Sequence, residues 1–127
     1  MNLRNMYLLN TVVCLLFALG LLLMTPVMLG LFGMDNGADA RLLGQLLAVE
    51  LVVGGMITLL ARDVTDAKAR SAINNANILA GVLGVVVALN GTLTNVFGWF
   101  GWVIAAVYLV IALGFAYFQF FAPPEQL

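Results

Sequence analysis

The chain has 127 residues, of which 64% are hydrophobic and only 9% are charged, and its formal net charge is −1. Soluble domains carry about a quarter charged residues, so this composition excludes an ordinary soluble domain and predicts an integral membrane protein. Five basic residues provide no phosphate-binding surface, so nucleic acid is not an expected partner.

The chain contains no histidine and a single cysteine. Histidine is the commonest metal ligand and the usual general base, and one thiol cannot form an internal disulfide. The sequence therefore predicts no metal site, no ligated cofactor and no catalytic residues, and thus a protein that is not an enzyme. A lipid or pigment held by apolar contact stays open as an alternative.

Four apolar segments are long enough to cross a bilayer, which takes about 20 residues in a helix. The spans are predicted over about 6–24, 42–61, 73–89 and 97–121. Pro26 should kink or end the first span, since proline removes a backbone donor. A short apolar segment over about 27–34 is expected to lie at the membrane interface.

Polar residues between the spans are expected to cap the helices that follow, because their side chains accept hydrogen bonds from first-turn amides. Asp39 is the candidate for the second span, Thr65 or Asp66 for the third, and Thr94 or Asn95 for the fourth. The short connections predict one transmembrane domain over 1–127, an all-α, up-down four-helix bundle.

Basic residues predict the orientation of this bundle. One side carries Arg41 alone, whereas the other carries Arg4, Arg62, Lys68 and Arg70. Basic residues favour the cytoplasmic side, so both termini are expected there. Trp99 and Trp102 are then interface anchors on the outer side, and Tyr117 is an anchor on the inner side.

Small residues predict where the spans pack closely, because helices in lipid associate through close backbone approach. The second and third spans carry these candidates, which are Gly54, Gly55, Ala76, Ala80, Gly81 and Gly84.

Glu50 lies in the middle of the apolar run GQLLAVELVVGG, residues 44–55. Counting along the helix places it about 18 Å from the basic side, near the depth of Tyr108. A charge at mid-bilayer costs a few kcal/mol, so we expect the carboxyl group to be largely protonated. Tyr108 is the expected hydrogen-bonding partner.

A second polar layer is expected nearer the cytoplasm, around Asn10 and Asn77. Gly54 leaves space one turn from Glu50, so the sequence predicts a polar cleft open toward the cytoplasm. Two interpretations of Glu50 stay open. It is either a clasp or subunit contact, or a site that handles protons or cations. For the asparagines, hydrogen bonds between helices are favoured over ligand binding.

Residues 40–73 read ARLLGQLLAVELVVGGMITLLARDVTDAKARSAI, in which an arginine and a glycine open the second span and an Arg/Asp-rich turn follows it. This segment resembles the small four-span bacterial membrane proteins grouped as DoxX-like. The resemblance implies a helix bundle in a prokaryotic plasma membrane, associated with redox or other complexes, and it carries over no catalytic residue.

These observations predict a non-enzymatic accessory or packing subunit of a larger membrane assembly. Its expected partners are the lipid bilayer and other membrane subunits or copies of itself. The alternative is a minimal proton-coupled transporter or channel that works as a homo-oligomer. In that alternative Glu50 carries the proton, Tyr108 is its partner, and Asn10 and Asn77 line the inner vestibule.

Overall fold

The computed structural model describes residues 2–127 and is all-α, as predicted. Its helices are α1 (Leu3–Leu23), α2 (Thr25–Leu31), α3 (Ala38–Ala61), α4 (Ala67–Leu93) and α5 (Phe100–Phe120), followed by a short 3-10 turn over Pro124–Gln126. The four long helices, α1, α3, α4 and α5, are each long and apolar enough to span a membrane. They correspond in order to the four predicted spans.

The short apolar segment predicted over about 27–34 is largely a separate helix, α2. This helix begins at Thr25, just before Pro26, and ends at Leu31. Proline lies in its first turn, where a missing backbone donor costs nothing. Leu29 is buried, because α2 folds back against both α1 and α3.

Two of the three predicted N-caps differ from the structure. Gly37 precedes α3 as its N-cap and Asp39 lies inside the first turn, so the predicted cap at Asp39 is wrong. Asp66 caps α4 as predicted, accepting a hydrogen bond of 2.7 Å from the Ala69 amide. The early start of α4 at Ala67 follows from this cap.

The prediction that Thr94 or Asn95 caps the last span is also wrong, because both residues end α4 instead. Thr94 is the C-cap of α4, and α5 begins only after Trp99. Asn95 has a φ of 59°, a left-handed conformation that asparagine tolerates and that ends helices. The Val96 amide then donates to the Gly91 carbonyl at 2.9 Å.

The long helices form two close antiparallel pairs, α1 with α3 and α4 with α5. In the first pair Gly55 lies against Cys14 while Gly44 lies against Leu21. In the second pair Gly81 lies against Ala112 and Gly84 against the Tyr108 ring. Glycine permits these approaches because it has no side chain to separate the backbones.

The remaining small residues occupy different surroundings. A side chain at Gly54 would meet only the Cys14 sulfur, at 4.0 Å. Ala76 and Ala80 are exposed on α4. Thus Gly55, Gly81 and Gly84 lie at helix contacts within the chain, whereas the other three candidates do not.

The two pairs meet at both ends of the long helices. One end carries Arg4, Arg62, Lys68 and Arg70, and we call it the basic end. A buried cluster there contains Leu3, Met6 and Tyr7 of α1 with Phe115 and Phe118 of α5. The opposite end, where Trp99 lies, is the tryptophan end, and there the ring centroids of Phe32 and Phe100 lie 5.3 Å apart while the Gly98 amide donates to the Phe32 carbonyl at 2.7 Å. Although α3 and α4 are consecutive in the chain, they barely touch.

We expect Gly81→Val to lower the free energy of unfolding by about 1–3 kcal/mol, because the added atoms overlap the backbone of Ala112. A methyl group on Gly81 would lie 3.1 Å from the Ala112 Cα. The matched control is Gly54→Val, which enters open space and should change stability by less than about 1 kcal/mol. Denaturation in mixed micelles measures both. Equal losses in the two variants would contradict the assigned packing of Gly81.

Candidate functional site

A cavity of about 520 Å³ lies between the two helix pairs. It extends from Asn10 and Asn77 toward Phe32 and Phe97 near the tryptophan end, and most of its lining is apolar. This volume lies within the roughly 300–1,000 Å³ of small-molecule sites, which are also mainly apolar with a few polar groups.

The cavity opens sideways, between α3 and α4. Its exposed lining residues lie on these two helices and include Leu47 and Glu50 of α3 and Leu83 and Val87 of α4. The back of the cavity is formed by α1 and α5, which contact each other. For a chain embedded in a bilayer, this mouth faces hydrocarbon rather than either aqueous side.

Hydrogen bonds among three helices form the floor of the cavity. The Asn10 side-chain amide donates to Asn77 Oδ1 at 3.3 Å and approaches Thr58 Oγ1 at 3.4 Å. Asn77 in turn donates to the Ile73 carbonyl at 2.9 Å. These bonds connect α1 with both α3 and α4, so the two asparagines bridge neighbouring helices.

Tyr7 and Asn74 extend this network toward the basic end. The Tyr7 hydroxyl donates to Asn74 Oδ1 at 3.0 Å, and both side chains are buried. Sequence reasoning missed the role of Tyr7. The available signal was its spacing, because Tyr7, Asn10 and Thr11 lie on one face of a helix at intervals of three and four.

The basic end is filled rather than open. Beyond the polar network, Met6, Tyr7 and Phe115 are each at most 1% exposed, and the cavity does not extend past Asn10 and Asn77. The expected opening toward this end is therefore absent. Its physical cause is the pair of hydrogen bonds from α1 to α4, which draws the helices together there.

Glu50 lies at the mouth of the cavity and is exposed. Within residues 2–127, no side chain forms an ion pair or a hydrogen bond with its carboxyl group. The nearest cation along α3, Arg41, instead donates to Asn36 Oδ1 at 2.6 Å, beyond the start of that helix. The described part of the chain thus leaves its one mid-helix carboxyl group without a partner.

Tyr108 lines the same cavity from α5 and is half-buried. Its ring packs on Gly84, and the part of the chain that the structure describes contains no hydrogen bond between Tyr108 and Glu50. The four residues of the predicted polar site, Glu50, Tyr108, Asn10 and Asn77, therefore line one cavity. Among them, the structure shows a hydrogen bond only between Asn10 and Asn77.

The predicted interface residues lie at opposite ends of the long helices. Trp99 and Trp102 are exposed at the tryptophan end, with exposed fractions of 70% and 54%. Tyr117 is exposed at the basic end, where its hydroxyl donates to Gln126 Oε1 at 3.3 Å. Arg4 and Arg62 both lie 3.2 Å from Asp63 carboxylate oxygens at that end.

No protein-family model, no curated protein and no solved structure matches this chain. The DoxX-like resemblance therefore stays a prediction. Within residues 2–127, no group of three or more His, Cys, Asp or Glu side chains is arranged to hold a metal ion.

We expect Tyr7→Phe to lower the free energy of unfolding by about 0.5–2 kcal/mol, because Asn74 loses a buried donor. The control is Tyr117→Phe, which removes an exposed hydroxyl group and should have almost no effect. Denaturation of the two variants in the same micelles gives the comparison. A Tyr7→Phe protein as stable as the wild type would show that this bond does not join the helix pairs.

Proposed function

We propose that this chain is a non-enzymatic accessory subunit of a larger membrane assembly. In this proposal the four long helices form an up-down bundle in a prokaryotic plasma membrane, with both termini in the cytoplasm. Four of the five basic residues lie at the basic end and only Arg41 lies near the other, which supports this orientation.

The observation that carries the proposal is an uncovered face of small residues on α4. Ala72, Ala76 and Ala80 follow one another at intervals of four, so they lie along one side of the helix, and all three are exposed. The glycines of the same helix, Gly81 and Gly84, face α5 instead. Small residues at this spacing are typical of contacts between membrane helices. We infer that a helix of another subunit, or of a second copy, packs along this face.

The double variant Ala76→Leu/Ala80→Leu tests this contact. Overpacking costs about 1–3 kcal/mol, so the assembled fraction should fall about tenfold or more. Native mass spectrometry after mild extraction of the tagged protein from its own membranes gives the measurement. Ala106→Leu is the matched control, because it enlarges an exposed alanine on α5. A wild-type protein that is monomeric under these conditions would refute the proposal.

A second candidate function is a minimal proton-coupled transporter or channel that works as a homo-oligomer. The observation that favours it is the shared cavity, since Glu50, Tyr108, Asn10 and Asn77 all line it. A carboxyl group that alternates between its protonated and ionised forms would couple proton movement to an occupant of the cavity.

Glu50→Gln should abolish pH-dependent flux across liposomes while leaving the protein folded, because the amide group cannot release a proton. Glu125→Gln is the control, since that carboxyl group is exposed in the terminal 3-10 turn and lies outside the cavity. Undiminished pH-dependent flux in the Glu50→Gln variant would show that Glu50 does not carry the proton.

A further inference from the structure

We propose that the lateral cavity binds an amphiphilic amine, with its ammonium group at Glu50 and its hydrocarbon part inside the cavity. This inference does not depend on the assembly proposed above. It follows from the shape of the cavity, from its charge, and from the space beneath Glu50.

The shape of the cavity fits a ligand that arrives from the bilayer. The mouth lies between α3 and α4 along their length, whereas the buried cluster closes the basic end. The walls include aromatic rings such as Phe17, Phe32 and Phe97. An apolar chain would therefore replace contacts with lipid by contacts with these walls, while a polar head would stay at the mouth.

The charge at the mouth selects a cation. Glu50 is the one charged side chain lining the cavity among the described residues, and no Lys or Arg of that part of the chain lines it. A carboxyl group alone in hydrocarbon favours its neutral form, and an amine at hydrogen-bonding distance takes up its proton, so that the two charges form in contact. A fatty acid would instead bring a second acidic group, and a neutral alcohol would not take up the proton.

A second copy of this chain does not supply the missing cation. Arg41 lies nine positions before Glu50, which is about 13 Å along the helix, and it belongs to the tryptophan end. The other four basic residues lie at the basic end. A parallel neighbour would therefore bring no basic group to the depth of Glu50, and a separate molecule fits the position better.

The space beneath Glu50 is open and contains a natural reporter. Gly54 lies one turn further along α3 on the same face, and a side chain there would meet only the sulfur of Cys14. Cys14 lines the cavity and is the only cysteine of the chain. A ligand bound at Glu50 would shield this thiol, so the rate of Cys14 alkylation measures occupancy.

The experiment compares alkylation of Cys14 by N-ethylmaleimide in phosphatidylcholine nanodiscs, with dodecylamine, dodecanol or dodecanoate added. We expect dodecylamine to slow alkylation about tenfold or more in the wild type, and the other two compounds to have little effect. Glu50→Gln should require about tenfold or more dodecylamine for the same protection, because the ion pair is lost. Glu125→Gln should behave like the wild type.

A second variant tests the cavity independently of the charge. Gly54→Leu fills the space beneath Glu50, so added amine should no longer change the alkylation rate. Gly30→Leu is its matched control, since Gly30 is exposed on α2 with no neighbouring atom within 4 Å. Nanodiscs of phosphatidylethanolamine show whether the amine comes from a lipid headgroup or from a free compound. Protection of Cys14 in these discs without added amine would identify the lipid headgroup as the ligand.

Three results would overturn the proposal. Equal protection by dodecanol and dodecylamine would show an apolar site without selection for charge. Unchanged protection of Cys14 by dodecylamine in the Glu50→Gln variant would show that the carboxyl group does not contribute to binding. A co-purified membrane subunit that itself shields Cys14 would show that a protein helix, rather than an amine, occupies the mouth.

Discussion

Helices surrounded by lipid gain little by hiding apolar side chains from one another, so they associate where backbones approach closely or polar groups bond. Both kinds of contact are present in this chain, but at different places. Glycines hold the members of each helix pair together, as Gly55 does in the first and Gly81 in the second. The bonds from Tyr7 to Asn74 and from Asn10 to Asn77 then join the two pairs near the basic end.

The cavity follows from this distribution of contacts. The pairs are held together at both ends, by these bonds near the basic end and by the rings of Phe17, Phe32 and Phe100 at the tryptophan end. Between the two ends α3 and α4 stay apart and leave a lateral mouth. Glu50 lies on the rim of that mouth, where no residue of the described chain neutralises it. A carboxyl group without a partner is costly where it faces hydrocarbon, so its place on this rim favours an occupant from outside the chain. The proposed subunit contact on α4 borders the proposed ligand site, because Ala80 belongs to the exposed alanine face and also lines the cavity.

The sequence predicted the four long apolar helices, because hydropathy is a local property that can be counted along the chain. It failed where the answer depends on the relative placement of helices. Glu50 and Tyr108 lie at similar depth, yet Tyr108 packs on Gly84 and does not bond to Glu50. Likewise, depth alone could not show that Phe115 fills the basic end and that the opening is lateral. The end of α4 at Leu93 is followed by Asn95 in a left-handed conformation, which composition does not reveal.

The central claim is that the carboxyl group of Glu50 is uncovered at a mouth that faces hydrocarbon. Labelling of the purified protein in nanodiscs with two carbodiimides, one soluble in lipid and one soluble in water, tests it most directly. The account predicts that the lipid-soluble reagent modifies Glu50, whereas the water-soluble reagent modifies only the carboxyl groups near the helix ends, such as Asp63 and Glu125. Mass spectrometry locates the adducts. Failure of the lipid-soluble reagent to modify Glu50, or its efficient modification by the water-soluble reagent, would contradict the account.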